Sequence, residues 1–239
     1  MEPILVYGFP AGSSMGLVAA FEQSQQPYRL CRVDMLADMK NDAYGRLNGR
    51  QETPVLIAPD GRVITETMAI AGWLADRDRG QHVSYAAGTP QGDRMRQMMA
   101  FINTGFTSAF TPLWLAFERE DASATERALY RELGGLLVAD RHARLEAMIG
   151  DTAFLAGDRF TLADAVLIGV ARWADFHDLR DKAAYPRLEA LRARIETLPA
   201  VRFAMEIEDG LTPSGSGGFR GHVPLDDVLS RFREQRAAA

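Results

Sequence analysis

The chain has 239 residues, of which 47% are hydrophobic, enough to bury a sizeable core in one large domain or two small ones. Its net charge of −5 argues against a nucleic-acid partner, and its single cysteine, Cys31, excludes an intramolecular disulfide and a cysteine metal cluster. Met1-Glu2-Pro3 lacks the pattern of a signal peptide and no window has the ~18 uninterrupted apolar residues of a membrane span, so a soluble cytoplasmic protein without a metal or a membrane partner is expected.

Residues 4–7, Ile-Leu-Val-Tyr, form a short apolar run that reads as a buried strand. Gly8 to Ser14 is a loop of small residues and turn formers, and Met15 to Gln23 follows as a helix with Ser13 or Ser14 as its N-cap. Residues 29–34 alternate as a second strand, within which Cys31 reads as a small core residue. Residues 35–47 are polar and mixed, a short helix or an irregular crossover. From Arg50 to Trp73 the pattern is strand, turn, strand, helix. Thr53-Pro54 opens the strand Val55–Ala58, Pro59-Asp60-Gly61-Arg62 is a turn, Val63-Ile64 is the return strand, and Met68–Leu74 is an apolar helix. Residues 1–79 thus follow β-α-β-α-β-β-α, a small α/β unit joining a parallel βαβ to an antiparallel hairpin.

A polar linker covers 80–90, and beyond it no strand pattern appears. Gln91 to Glu118 reads as a long helix kinked at Pro112. Ser123-Ala-Thr-Glu126 and Thr161-Leu-Ala-Asp164 both have capping-box spacing and open further helices, the second reaching Phe176. Tyr185-Pro186 starts another that ends before Pro199. Residues 91–204 therefore form an all-helical domain, followed by an extension over 205–239. In that extension Gly210–Pro224 reads as a flexible Gly/Ser-rich loop, and Leu225–Arg236 as an amphipathic helix with Leu225, Val228, Leu229 and Phe232 on one face.

Three motifs, Thr53-Pro54-Val55, Thr65-Glu66-Thr67-Met68-Ala69-Ile70 and Phe160-Thr161-Leu162-Ala163-Asp164, stand in an order and spacing that resembles the glutathione transferase family over residues 4–203. The resemblance implies an α/β plus all-α architecture: a thioredoxin-like N-terminal domain followed by a helical-bundle C-terminal domain. The bacterial beta class is the nearest, since Phe101-Ile102 and Ala109–Trp114 resemble its first long helix. In that class the first loop ends in Cys-Ser. Here it is Pro10-Ala11-Gly12-Ser13-Ser14, so a mixed disulfide with glutathione at this point is not expected.

What the resemblance implies can be matched to chemistry. Glutathione, the expected co-substrate, is a tripeptide with two carboxylates, an ammonium and a thiol. Its backbone would pair beside a cis Thr53-Pro54 and Val55, as in strand addition. Its γ-glutamyl carboxylate would sit at the helix start behind Glu66 and Thr67. Glu66 would hold the loop or meet the ammonium, and Arg50 or Gln51 would meet the glycyl carboxylate. The thiol needs a hydroxyl donor that favours the thiolate: Ser13 by position, Ser14 next. Phe9, Pro10, Phe106, Phe110 and Trp114 would form an apolar electrophile pocket between the domains. The implied activity is conjugation of glutathione to small hydrophobic electrophiles, a detoxification reaction, by a homodimer. The alternatives are glutathione-dependent reduction of disulfides or peroxides, and a non-catalytic binding protein. The extension is expected to fold back near the active cleft or onto a neighbouring subunit.

Overall fold

The structure, a computed structural model, describes residues 1–237, with side chains through residue 231. Two compact units are present: Met1–Ser84 together with Thr197–Ala239, and Tyr85–Glu196. The first begins with β1 (Ile4–Phe9), α1 (Met15–Ser24), β2 (Tyr28–Asp34), α2 (Asp42–Leu47), β3 (Val55–Ile57), β4 (Val63–Thr65) and α3 (Thr67–Ala75). β1 is the central strand. Leu5 lies opposite Leu30 in a parallel pairing and opposite Leu56 in an antiparallel one. α2 covers one face of this strand and α1 the other, and a strand covered on both faces reads as an unbroken apolar run. Ile4 and Val6 join Cys31, Val33, Val55 and Ile57 on the face packed against Tyr44 and Leu47 of α2. On the opposite face Phe21 of α1 stacks on Trp73 of α3 at 6.2 Å and tilts against Tyr28 at 5.6 Å. Cys31 is fully buried, and burial pushes its thiol up to about 12, as befits a core residue rather than a nucleophile.

The second unit is helical: α4 (Pro90–Phe101), α5 (Thr111–Glu118), α6 (Ala124–Met148), α7 (Leu162–Ala171), α8 (Trp173–Phe176) and α9 (Pro186–Glu196). The expected single helix over 91–118 is broken rather than kinked. A π turn covers Ile102–Phe106 and a 3-10 turn Ser108–Phe110 before α5 restarts with Pro112 in its first turn. A proline tolerates a first turn because it has no N–H to lose there. Likewise the helix expected to reach Phe176 divides into α7 and α8 at Arg172. Both capping boxes are formed. In the second, Asp164 accepts from Thr161 N at 2.9 Å and from Leu155 N at 2.9 Å. Burial nevertheless pushes its carboxyl up to about 6.

The chain then returns to the first unit. α10 (Pro199–Glu208) packs along α1, so the boundary of the helical unit lies at Glu196 and not at 204 as expected. Residues 210–224 are not simply a loop: β5 (Phe219–His222) pairs parallel to β2 and gives the sheet its order β4-β3-β1-β2-β5. The Phe219 ring lies 5.7 Å from Tyr28 and 5.5 Å from Phe203. The glycines that suggested flexibility serve backbone geometry instead, with Gly217 at φ 93 and Gly221 at φ 88. Finally α11 (Leu225–Ala237) lays Val228 and Leu229 into the Ile4–Val6 face, with Leu225 packed against it. The Phe232 side chain lies outside the described residues. The extension thus covers the sheet of its own chain. Among the described residues no helix is long and apolar enough to cross a membrane.

Two stability predictions follow from this packing. Leu229 is 5% exposed, so Leu229→Ala should cost about 2–4 kcal/mol in denaturant unfolding. His142 in α6 is buried with its ring 4.6 Å from Phe106. Burial holds its imidazole below the ordinary value, Arg192 acting in the same direction and Glu189 opposing it. Folding therefore favours the neutral ring, and its contribution is full above the unfolded-state value of about 6.5 and declines as pH falls below it. Unfolding midpoints measured at successively lower pH should show that loss, and His142→Phe should flatten it.

Candidate functional site

Gly8, next to last in β1, draws two of the expected pieces together. A Cβ on Gly8 would lie 2.5 Å from both Met35 Sδ and Thr53 Oγ1, so only glycine lets Thr53 come this close. The Gly8 N–H also donates to Ser14 Oγ at 2.9 Å. Ser14 is fully buried and stands at the N-cap position of α1 without a side-chain cap, because its hydroxyl is already bound to β1. Ser13 is half-buried, and its hydroxyl has no protein partner among the described residues. The loop leading to it contains a cis Phe9-Pro10 bond and Ala11 at φ 56.

The hairpin supplies the other half. Val55 pairs with Thr65, which sets Thr53-Pro54, joined by a cis bond, beside Glu66 and Thr67. Val55 also pairs with Val6 in β1. Glu66 has φ 71 and ψ 126, a conformation that residues with a side chain rarely adopt. Glu66 precedes α3 without capping it, leaving first-turn amides of the kind that attract an anion. Its exposed carboxylate lies 3.5 Å from Arg50 Nη1, and Arg50 Nε donates to Glu52 at 2.9 Å. Exposed pairs of this kind contribute little to stability. Gln51 is exposed at φ 55, and its amide reaches Asn41 O at 3.4 Å.

Two further residues, not singled out in the sequence, support the loop. The Arg32 guanidinium lies 3.5 Å over the Phe9 ring, and its Nη2 donates to Glu208 O at 2.7 Å. Gly12 N donates to Glu208 Oε1 at 3.1 Å. Nothing in a single sequence links residues 196 positions apart, so this pair had no readable signal. Tyr7 is buried, with its hydroxyl 3.2 Å from His222 Nε2. Burial pushes its phenol well above the ordinary range, which suits a core residue and not a thiol-activating phenolate.

The aromatic residues expected to line an electrophile pocket divide. Phe9 is half-buried and Pro10 exposed, both in the serine loop. Phe106 and Phe110 are fully buried and pack with His142, so they form the core of the helical unit and present no surface to a ligand. Trp114 is partly buried in a cluster with Trp173, Phe176 and His177. Beside that cluster lies a cavity of about 490 Å³ lined by Leu113, Phe117, Arg131 and Phe176.

The chain matches known proteins along most of its length. The family model described as "Glutathione S-transferase, N-terminal domain" matches residues 14–77, and "Glutathione S-transferase, C-terminal domain" matches residues 105–199. The chain is similar to glutathione S-transferase GstA of Escherichia coli O157:H7, 24% identical over 208 residues, 86% of this chain and 96% of that protein. It is 27% identical to glutathione S-transferase GST-4.5 of Xanthomonas campestris pv. campestris over 205 residues, 85% of this chain and 98% of the relative. A solved structure of a sphingomonad glutathione S-transferase complexed with glutathione matches with a TM-score of 0.74 and 25% identity, covering 87% of this chain and all of that one.

Proposed function

Since the chain belongs to the glutathione S-transferase family, we propose that it conjugates the glutathione thiolate to small hydrophobic electrophiles, with the Ser13 hydroxyl as the donor to sulfur. The observation that carries this reading is exposure: Ser14 is fully buried with its Oγ accepting from Gly8 N, whereas Ser13 is half-buried and its hydroxyl has no protein partner among the described residues. A hydroxyl that donates to sulfur lowers the thiol pKa, and the start of α1 adds a favourable dipole. The thiol proton leaves to solvent, and the thiolate forms the new carbon–sulfur bond as the electrophile's leaving group departs.

The peptide backbone of glutathione lies along Thr53-Pro54 and Val55. Its γ-glutamyl carboxylate faces the first turn of α3 at Thr67, and its ammonium faces Glu66. Arg50, already between Glu52 and Glu66, holds the Glu66 carboxylate, which leaves Gln51 for the glycyl carboxylate. Phe9 and Pro10 offer the electrophile apolar contact beside Ser13, and the Trp114 cluster is one apolar patch of the helical unit. A homodimer is part of the same reading. It is supported by Leu129, Leu133 and Leu136, which share one face of α6 and are 62%, 45% and 67% exposed.

Calorimetric titration and turnover of an activated aryl halide test the proposal. Glutathione should bind, and Ser13→Ala should lower kcat/KM by roughly 10-fold or more, about 1.4 kcal/mol of barrier, with little change in stability. Ser14→Ala should instead lower stability by about 1–3 kcal/mol, because it strands the buried Gly8 N–H. No binding at millimolar glutathione, or an unchanged Ser13→Ala, would contradict the proposal. For the dimer, Leu133→Glu should shift the mass seen by light scattering from two chains to one.

A further inference from the structure

The last residue of α10 occupies a place that stability alone does not favour. Glu208 is 8% exposed and sits at the C-terminal end of a helix, where the dipole repels a negative charge. Burying a carboxylate is costly unless donors are aimed at it. Here one such donor is a backbone amide of the serine loop: Gly12 N meets Glu208 Oε1 at 3.1 Å. Gly12 has no freedom to carry a side chain, since a Cβ would lie 2.2 Å from Gly8 O. The same turn of α10 reaches the loop a second time, because Arg32 donates to Glu208 O while its guanidinium covers Phe9. Both ends of the segment 9–12 are therefore held by one helix terminus, and Ser13 is the next residue along.

We propose that Glu208 is a positioning residue that fixes the aim of the Ser13 hydroxyl through the Gly12 amide, with Arg32 steadying the same loop through Phe9. The proposal rests on the reading of Ser13 as the donor to the glutathione sulfur, and extends it to a residue that touches neither thiol nor electrophile. A hydroxyl must point at sulfur to favour the thiolate, and small errors in aim are costly in catalysis. Ala11, at φ 56, has a conformation that residues with a side chain rarely adopt, so the loop has to be held in place. Glu208 thus controls the fraction of time in which Ser13 is correctly directed.

The test uses the full chain with Glu208→Ala and Glu208→Gln, read by amide exchange of the segment 9–14 without ligand and by ultraviolet titration of bound glutathione thiolate. Glu208→Ala should speed exchange in that segment and raise the bound thiol pKa by about one unit, so that kcat measured below that pKa falls roughly 10-fold while the glutathione KM changes little. Glu208→Gln keeps an oxygen that accepts from Gly12 N and should restore both readouts. If Glu208→Ala does not fold, Glu208→Asp, shorter by one methylene, should show the same two changes. Unchanged exchange, an unchanged thiol pKa despite faster exchange, or a glutamine variant that behaves like alanine would each overturn the proposal. Ser13→Ala serves as the control on the underlying reading. If it leaves the thiol pKa at the wild-type value while Glu208→Ala still moves it, the Ser13 assignment is wrong and the loop is positioned by Glu208 for another donor.

Discussion

Close packing around the Gly8 backbone is the constraint on which the proposed site depends. Its N–H donates to the Ser14 hydroxyl oxygen, and its bare Cα admits Met35 and Thr53. A Cβ there would force the Met35 and Thr53 side chains to move, at the point where the serine loop and the Thr53-Pro54 strand start come together. Because β1 is paired on both sides, the position of Gly8 is itself fixed by the most buried part of the sheet. The loop is thus joined to the core by the Gly8–Ser14 hydrogen bond itself.

The C-terminal segment extends the same logic. α10 packs on α1, β5 adds an edge to β2, and α11 fills the face that holds Val6, Cys31 and Val33. An exposed edge at β2 would be open to pairing with other chains, and β5 covers it. The segment is therefore part of the N-terminal unit in every sense that packing can define. Its Glu208 carboxylate gives that unit a contact with the loop at Gly12.

Much of this was legible in the residues. The βαβ start, the hairpin at Pro59–Arg62 and both capping boxes carry local chemistry, turn formers and side-chain caps, that a single chain displays. The tail was misread for a physical reason: Gly217 adopts positive φ in the bend before β5 and Gly221 within it, and composition cannot distinguish such glycines from those of a flexible linker. Phe106 and Phe110 were misassigned because helical spacing marks a buried face without saying whether a ligand or the core covers it. The Gly12–Glu208 and Arg50–Glu66 contacts were out of reach because tertiary pairing, not local pattern, creates them.

The account turns on which of two adjacent serines faces the sulfur. A crystal structure with glutathione bound decides it most directly. The account predicts the sulfur within hydrogen-bonding distance of Ser13 Oγ, with Ser14 Oγ still accepting from Gly8 N and the tripeptide backbone alongside Thr53-Pro54. A sulfur bound to Ser14 Oγ in place of Ser13 Oγ, or a tripeptide seated away from Thr53-Pro54, would contradict it.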